Sequence, residues 1–116
     1  VRRYGKGGDV FVQLIDIRLQ PGAWEQFEAL GRAAQEYWTP DLSRERGLVS
    51  EITVRDRKDP DNVIMVVQFE SAEQAAANSR SADTNELYQR ILALSADEPR
   101  FIDCELVSTM GEPGSA

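Results

Sequence analysis

The sequence contains Val63-Ile64-Met65-Val66-Val67, five bulky apolar residues in a row. A second stretch, residues 10–17 (VFVQLIDI), is nearly as apolar. Side chains point alternately to the two faces of a β-strand, so a strand with one buried face alternates apolar and polar residues. Neither stretch alternates cleanly. We therefore predict a sheet that is apolar on both faces, with enough helix elsewhere in the chain to cover only one of them.

Turn and helix signals divide the chain into four strands and two helical regions. The predicted strands are residues 10–19, 48–55, 63–69 and 100–107. The first helix is predicted to begin at Pro21, where apolar residues start to recur at helical spacing. It must end before Pro40, because the residue before a proline avoids helical geometry. We interpret the following residues, up to Gly47, as a loop.

The second helical region follows the apolar strand 63–69. Ser71 and Gln74 form a plausible capping box at its start. The helix is predicted at 72–79, with a break at 81–83 (SAD), after which helical spacing resumes. Pro99 closes the connection to the last strand.

The resulting order is β-α-β-β-α-β, and it predicts an α+β, ferredoxin-like fold. In this fold a four-stranded antiparallel sheet carries its helices on one face. A different α+β sandwich with the same element order is the alternative. Residues 10–107 are predicted to form the single domain, between a flexible lead-in (1–9) and a flexible tail (108–116).

The uncovered sheet face predicts a partner. It presents either the set that includes Val12 and Leu14 or the set that includes Phe11, Ile15 and Ile17. A large exposed apolar patch is rare on a stable monomer. We expect a homodimer in which two sheets pack through their open faces. The alternative is that the exposed face is smaller than the pattern indicates.

Composition excludes several classes of function. Acidic residues outnumber basic ones by 20 to 13 and the net charge is −7, which argues against nucleic-acid binding. No apolar run is long enough to span a membrane, and no secretory signal is recognisable. The single cysteine, Cys104, excludes an internal disulfide and fits a cytoplasmic protein. The absence of histidine removes the commonest general base and metal ligand.

Two segments resemble the antibiotic biosynthesis monooxygenase family of dimeric α+β barrels. They are 11–27 (FVQLIDIRLQPGAWEQF) and 68–91 (QFESAEQAAANSRSADTNELYQRI), and the resemblance covers residues 10–107. The family includes cofactor-independent oxygenases of polycyclic aromatic phenols, haem-degrading enzymes and members without known activity. The haem-degrading branch carries an Asn and a Trp where this chain has Ile15 and Phe69, and also a His. The resemblance therefore implies an oxygenase of a small aromatic or phenolic substrate that uses O₂ without metal, flavin or haem.

Side chains suited to a phenol-binding pocket are few, and none lies in a close match to a family motif. We predict catalytic roles for Asn78, Trp38 and Arg80: Asn78 would hold a carbonyl or oxyanion, and Arg80 a phenolate. The predicted substrate-binding residues are Gln13, Tyr37, Phe69 and Tyr88.

Structural roles are the alternative for five of these residues. Tyr37 and Trp38 would cap the core, Asn78 would cap a helix, Arg80 would be solvated, and Gln13 would form a structural hydrogen bond across the dimer.

Two carboxylates on the last strand have a separate interpretation. Asp103 and Glu105 share a face and suit acid–base work, but charges on an edge strand also prevent aggregation, and the second interpretation is favoured. Two hypotheses for the whole chain remain. One is a cofactor-independent monooxygenase, and the other is a non-catalytic ligand-binding or structural dimer of the same fold.

Overall fold

The computed structural model describes residues 10–111 and the backbone of Arg2–Arg3. The strands are β1 (Arg2–Arg3), β2 (Phe11–Arg18), β3 (Leu48–Arg55), β4 (Asn62–Phe69), β5 (Arg100–Glu105) and β6 (Ser108–Thr109). The helices are α1 (Trp24–Tyr37), α2 (Pro40–Arg46), α3 (Ala72–Ser79) and α4 (Ala82–Ala93).

The main sheet has the strand order β3-β4-β2-β5, and all of its pairings are antiparallel. The two apolar stretches, now β2 and β4, lie side by side at its centre. Their register pairs Ile17 with Val63 and Phe11 with Phe69. The predicted ferredoxin-like fold is therefore confirmed.

The core lies between the sheet and the helices. Ile17 and Val63 are both 0% exposed, and they pack with Phe27 of α1 and Ile91 of α4. Because side chains alternate along a strand, Ile17 places the odd-numbered residues of β2 on the helix side. The register does the same for Val63, Met65, Val67 and Phe69 of β4. Of the two sets left open by the sequence, the one with Phe11, Ile15 and Ile17 is thus covered by helices.

The outer face of the sheet carries the other set. Its apolar residues are Val12, Leu14, Ile52, Val54, Ile64, Val66 and Ile102. Ile52 is 53% exposed and Val54 is 47% exposed, whereas Val12 is buried. The part of the chain that the structure describes thus leaves much of an apolar sheet face open to solvent.

The connection after α1 differs from its predicted form as a loop. Residues 40–46 form α2, whose N-terminus is capped by the Thr39 hydroxyl, which accepts a hydrogen bond from Leu42 N–H at 3.2 Å. Gly47 ends this helix in the left-handed conformation, with φ of 78°. The segment PDLSRER lacks apolar periodicity, so the spacing argument missed a helix that its caps would have revealed.

The first helix also begins later than predicted. Pro21 and Gly22 form a turn, with Gly22 at φ 83°, and α1 starts at Trp24. The second helical region agrees better with its prediction. The break falls between Ser79 and Ala82, and the Ser71 hydroxyl caps α3 by accepting from Gln74 N–H at 3.1 Å.

A short two-stranded sheet joins the two ends of the chain. Arg2–Arg3 pairs with Ser108–Thr109 in antiparallel fashion. Both strands lie inside the segments predicted as flexible lead-in and tail, and no sequence signal pointed to this pairing. The rest of those two predictions, at 1, 4–9 and 112–116, falls outside the described residues. Within the described part, no helix combines the length and hydropathy needed to cross a membrane.

Truncation of Ile17 tests this account of the core. We expect Ile17→Ala to lower the free energy of unfolding by about 2–5 kcal/mol, because it opens a cavity at a fully buried position. Val107→Ala, at a position that is 66% exposed, should change it by less than about 0.5 kcal/mol. Urea denaturation at one protein concentration measures both. Equal losses in the two variants would contradict the placement of the core.

Candidate functional site

A cleft of about 350 Å³ opens on the helix side of the sheet, between α3 and the strands β2 and β5. Its lining residues are Phe11, Gln13, Ala72, Ala75, Ala76, Ser79 and Asp103. Positions 72, 75, 76 and 79 follow the i, i+3, i+4, i+7 spacing of a single helix face. Because three of them are alanine, α3 turns small side chains toward the sheet and leaves the space unfilled.

The polar end of this cleft is a hydrogen-bonded pair on neighbouring strands. Gln13 of β2 and Asp103 of β5 are directly opposite in the antiparallel register. The Gln13 side-chain amide, through Nε2, donates to Asp103 Oδ1 at 3.0 Å. Gln13 interrupts an otherwise apolar strand, and its amide finds its partner within the same chain. Among the described residues that line the cleft, only Asp103 is charged.

Asp103 is exposed on β5, an edge strand of the main sheet, which agrees with the sequence interpretation of a guard against aggregation. Its register partner Gln13 lies on the helix side, so Asp103 faces the same side as the cleft. Cys104, the next residue, points to the opposite face, as the alternation of strand side chains requires.

Aromatic side chains border the cleft without filling it. Phe11 forms part of its wall, while its strand neighbour Phe69 is only 3% exposed and belongs to the core behind it. Tyr88 of α4 packs on Phe101 of β5, with ring centroids 5.6 Å apart. Phe101 lies two residues before Asp103 on the same face of β5. The predicted binding residues Phe69 and Tyr88 thus lie beside the cleft and are not among its lining residues.

A second group of polar side chains joins α1, α2 and α4. We call it the Asp83 cluster: Tyr37, Trp38, Arg46, Asn78 and Asp83. Arg46 donates from Nη1 to Asp83 Oδ1 at 3.0 Å, and its Nη2 lies 2.9 Å from Asp83 Oδ2. The Tyr37 hydroxyl also donates to Asp83. The Arg46 guanidinium stacks over Trp38, 5.4 Å from the ring centroid.

Asn78 connects this cluster to α3. Its Oδ1 accepts from Thr84 Oγ1 at 3.2 Å and from Arg46 Nη1 at 3.5 Å. On a helix with 3.6 residues per turn, Asn78 lies about a third of a turn away from the alanine face that lines the cleft. The Asp83 cluster therefore sits on a different side of α3 from the cleft.

Hydrogen bonds set the protonation states within the cluster. Those donated by Arg46, and then by Tyr37 and Ser81, hold the pKa of the Asp83 carboxyl well below its usual range. Asp83 in turn raises the pKa of Tyr37, mainly through their hydrogen bond. Asp83 is therefore a firmly ionised carboxylate, and Tyr37 a neutral phenol, at neutral pH.

The predicted site residues thus divide into groups. Tyr37, Trp38 and Asn78 come together in the Asp83 cluster, and Gln13 lines the cleft. The side chain of Arg80 is exposed, and its backbone N–H caps α3 by donating to the Ala76 and Ala77 carbonyls. The structure does not gather these residues into one pocket.

Sequence reasoning missed two members of the Asp83 cluster, Arg46 and Asp83. Both looked like ordinary surface charges because the two residues, which pair with each other, are 37 positions apart in the chain. The sequence placed Asp103 on the last strand, but its position opposite Gln13 and its face of the sheet are set by the register of β5 against β2.

Metal-binding groups are absent from the described ranges. No set of three or more His, Cys, Asp or Glu side chains within residues 10–111 has the geometry to hold an ion.

Another depression, of about 310 Å³, lies at the opposite side of the sheet. Its lining residues are Asp16, Arg18, Asn62, Asp97, Glu98 and Arg100. All six are charged or amide side chains, so this depression offers no apolar wall to an aromatic ring.

Comparison with known proteins assigns the domain. The sequence profile of the antibiotic biosynthesis monooxygenase family matches residues 10–90. The chain belongs to the antibiotic biosynthesis monooxygenase family. The match includes β2 to β4, the first three helices and most of α4, and therefore most of the cleft, but it ends before β5 and Asp103.

Solved structures share the fold of this family member. A protein from Bordetella bronchiseptica assigned to the same family is 24% identical, with a TM-score of 0.71 over 85% of this chain and 98% of that one. One from Nitrosomonas europaea is 17% identical, with a TM-score of 0.75 over 93% and 99%. SnoaB from Streptomyces nogalater, a cofactor-independent oxygenase crystallised as a point mutant, is 14% identical, with a TM-score of 0.75 over 90% and 99%. No curated protein matches the sequence.

The lowered pKa of Asp83 predicts a pH-dependent contribution to stability. A carboxyl whose pKa is lower in the folded state stabilises the fold above its unfolded pKa of about 3.9, and loses that effect as pH falls. At pH 7 we expect Asp83→Asn to lower the free energy of unfolding by on the order of 1 kcal/mol, since the Arg46 pair is partly exposed. The difference from the wild type should narrow below about pH 4.

Urea denaturation at several pH values measures this difference. Asp41→Asn is the matched control, because Asp41 also pairs with an arginine but its side chain is 90% exposed. It should match the wild type at every pH. If the free energies of unfolding of Asp83→Asn and the wild type differed by the same amount from neutral to strongly acidic pH, the assigned role of the carboxylate would be contradicted.

Proposed function

We propose that this protein is a monooxygenase that oxidises a small aromatic or phenolic substrate with O₂, without metal or flavin, in the cleft between α3 and β2. The observation that carries the proposal is the combination of an apolar wall and one hydrogen-bonded carboxylate on the helix side of a domain of this family. Apolar pockets with a few convergent polar groups are the usual form of small-molecule sites.

The dimensions of the cleft suit such a substrate. Its volume of about 350 Å³ lies at the lower end of the range for ligand pockets, roughly 300–1,000 Å³. Phe11 offers a ring for stacking and the alanines of α3 offer a flat wall. A planar ring that enters between them brings its polar substituents toward Gln13 and Asp103.

The proposed chemistry needs no redox cofactor, because the substrate supplies the electrons. Loss of a proton from an activated CH₂ group next to a phenolic ring gives a carbanion, which transfers one electron to O₂. The substrate radical and superoxide combine to a peroxide, which takes up a proton. Loss of water then leaves a carbonyl in place of CH₂. One oxygen atom enters the product and the other leaves as water with both hydrogens.

The predicted catalytic residues have distinct parts in this proposal. Arg80 follows Ser79, which lines the cleft, and we assign it to the stabilisation of an anionic substrate. Asn78 and Trp38 belong to the Asp83 cluster, so they act on the cleft by holding α3 in place. Support for this assignment is that Asn78 is already hydrogen-bonded to Thr84 and Arg46.

A non-catalytic ligand-binding or structural dimer is the second candidate. It is favoured by the pairing within the Asp83 cluster, where the polar side chains of Tyr37, Arg46, Asn78 and Asp83 each bond to another member of the cluster. Such mutual pairing is typical of a structural network. Oxygen consumption separates the two candidates, since only the first predicts turnover.

Filling the cleft tests the location of the substrate. Ala76→Phe should lower kcat/KM for O₂ consumption with a hydroxyanthrone or hydroquinone by about tenfold or more, because a phenyl ring at this lining position occupies the substrate's place. Ala77→Phe is the matched control: Ala77 is exposed on the same helix and does not line the cleft. An oxygen electrode measures both variants. Equal rates in Ala76→Phe and the wild type would place the substrate elsewhere.

We further propose a homodimer through the outer sheet face, with a second copy of this chain as the occupant. This face is apolar on all four strands, and its exposed Ile52 and Val54 would be covered by the partner. A face-to-face arrangement leaves the helix side, and hence the cleft, open in each protomer.

A charge on the outer face should separate the proposed dimer. Ile52→Glu is expected to reduce the mass in solution to that of one 13.0 kDa chain, because the carboxylate would be buried between the sheets. Thr53→Glu puts the same charge one position along β3, on the other face, and should keep the dimer mass. Light scattering at micromolar concentration distinguishes these outcomes. A monomeric wild type would refute the dimer.

A cytoplasmic location fits this proposal. The single cysteine excludes a stabilising internal disulfide, which suits a reducing compartment. The chemistry described above requires no disulfide.

A further inference from the structure

We propose that the Asp103 carboxylate is the proton acceptor of the reaction and that Gln13 positions it. This inference rests on the proposed oxygenase function and adds to it the residue that removes the substrate's proton. Asp103 touches the substrate in this scheme and is therefore a catalytic residue, whereas Gln13 acts through Asp103.

The geometry of the pair favours a base. Gln13 Nε2 donates to Asp103 Oδ1 at 3.0 Å, which fixes the orientation of the carboxylate. Among the described residues no donor is bonded to Asp103 Oδ2, so this oxygen is available to a ligand in the cleft. An acceptor held in place by one oxygen and open at the other can receive a proton from a substrate.

Among the described residues, the cleft wall carries no charge besides Asp103. β2 contributes Phe11 and Gln13, and α3 contributes three alanines and Ser79. On β5 itself, Glu105 is the nearest titratable residue on the same face, two positions on, and it does not line the cleft. Arg80 follows Ser79 at the end of α3, and Tyr88 of α4 packs on Phe101.

The acid–base groups of the Asp83 cluster are less suitable. Asp83 accepts from Arg46 and Tyr37, and the resulting low pKa makes it a weak base. Tyr37 has a raised pKa and donates a hydrogen bond to Asp83, so it keeps its proton. Asp103 is the carboxylate that faces an open space with an apolar wall. A ring that fills that space brings its activated CH₂ group next to this carboxylate.

The proton moves from substrate to Asp103 and then back to the oxidised substrate. An oxygen of Asp103 takes a proton from the activated CH₂ group; the C–H electron pair stays on carbon, and the carboxylate becomes a neutral carboxylic acid. The carbanion passes one electron to O₂, and the radical pair closes to a peroxide anion. Asp103 returns its proton to that anion, so the enzyme regains its starting state before water is lost.

Asp103→Asn tests the base directly. With a hydroxyanthrone as substrate, we expect kcat for O₂ consumption to fall about 10²–10⁴-fold, the usual contribution of a general base. Glu105→Gln is the matched control and should retain wild-type kcat. Binding of a hydroxyanthraquinone, which cannot be oxidised in the same way, should be unchanged in Glu105→Gln and weaker by only about tenfold in Asp103→Asn, which loses a hydrogen bond to a charged group. Asp103→Ser provides a second variant, and circular dichroism shows whether each is folded.

Deuterium exchange separates this proposal from the oxygenase function itself. Without oxygen, the wild type should catalyse loss of deuterium from the CD₂ group of a labelled hydroxyanthrone into water, as followed by NMR, and Asp103→Asn should not. Exchange that depends on Asp103, without any O₂ consumption in air, would support the base while refuting the oxygenase. No exchange by the wild type, or equal exchange by Asp103→Asn, would overturn the assignment of the base.

Variants of Gln13 test its positioning role. Gln13→Leu removes the donor that holds Asp103 Oδ1, so kcat for deuterium exchange should fall by about tenfold or more, while the affinity for a hydroxyanthraquinone should stay near that of the wild type. Gln13→Asn, with a shorter amide, should restore part of the rate. A Gln13→Leu variant with the kcat of the wild type would leave Gln13 without a positioning role.

Discussion

The register of β2 against β4 is the constraint on which the rest of the structure depends. It pairs Ile17 with Val63, both fully buried, and so sends alternate side chains of the two central strands to opposite faces. A slip of one residue would exchange the faces and put Asp16 where Ile17 lies. Gln13 lies on the same face of β2 as Ile17, so Gln13 and its β5 partner Asp103 both lie on the helix side of the sheet. The site is therefore a consequence of how the core is built.

The helices determine which part of the helix side of the sheet is filled and which part stays open. α1 and α4 supply Phe27 and Ile91 and fill the space over one end of β2. At the other end α3 offers alanines, and the space over Phe11 and Gln13 stays open. The Asp83 cluster ties α3 and α4 to α1 and α2, because Arg46 reaches both Asp83 and Asn78. The outer face has no helices in the described part of the chain, and a second copy of the chain suits its apolar surface.

The sequence was a good guide wherever one periodic signal dominated. The dense apolar runs located β2 and β4, and Ser71 with the break before Ala82 located α3 and α4. It was a poor guide to α2, whose polar residues carry no periodic apolar pattern, and to the β1–β6 pairing of two-residue strands. For the site, residue type identified Gln13, Trp38 and Asn78 as unusual. It could not divide them between a cleft and a separate cluster, because that division depends on the rotation of α3 and on contacts such as Arg46 to Asp83, which join distant positions. The face of Asp103 could not be predicted for a similar reason, since only the register shows that it faces the helices.

The central claim is that the helix-side cleft, with Asp103 at its polar end, holds an aromatic substrate. A crystal structure of the protein with a bound hydroxyanthraquinone tests it most directly. The account predicts that the ring lies between Phe11 and the alanine face of α3, with a ring hydroxyl hydrogen-bonded to Asp103. A ring bound instead against the outer face of the sheet, or within the Asp83 cluster with the cleft empty, would contradict it.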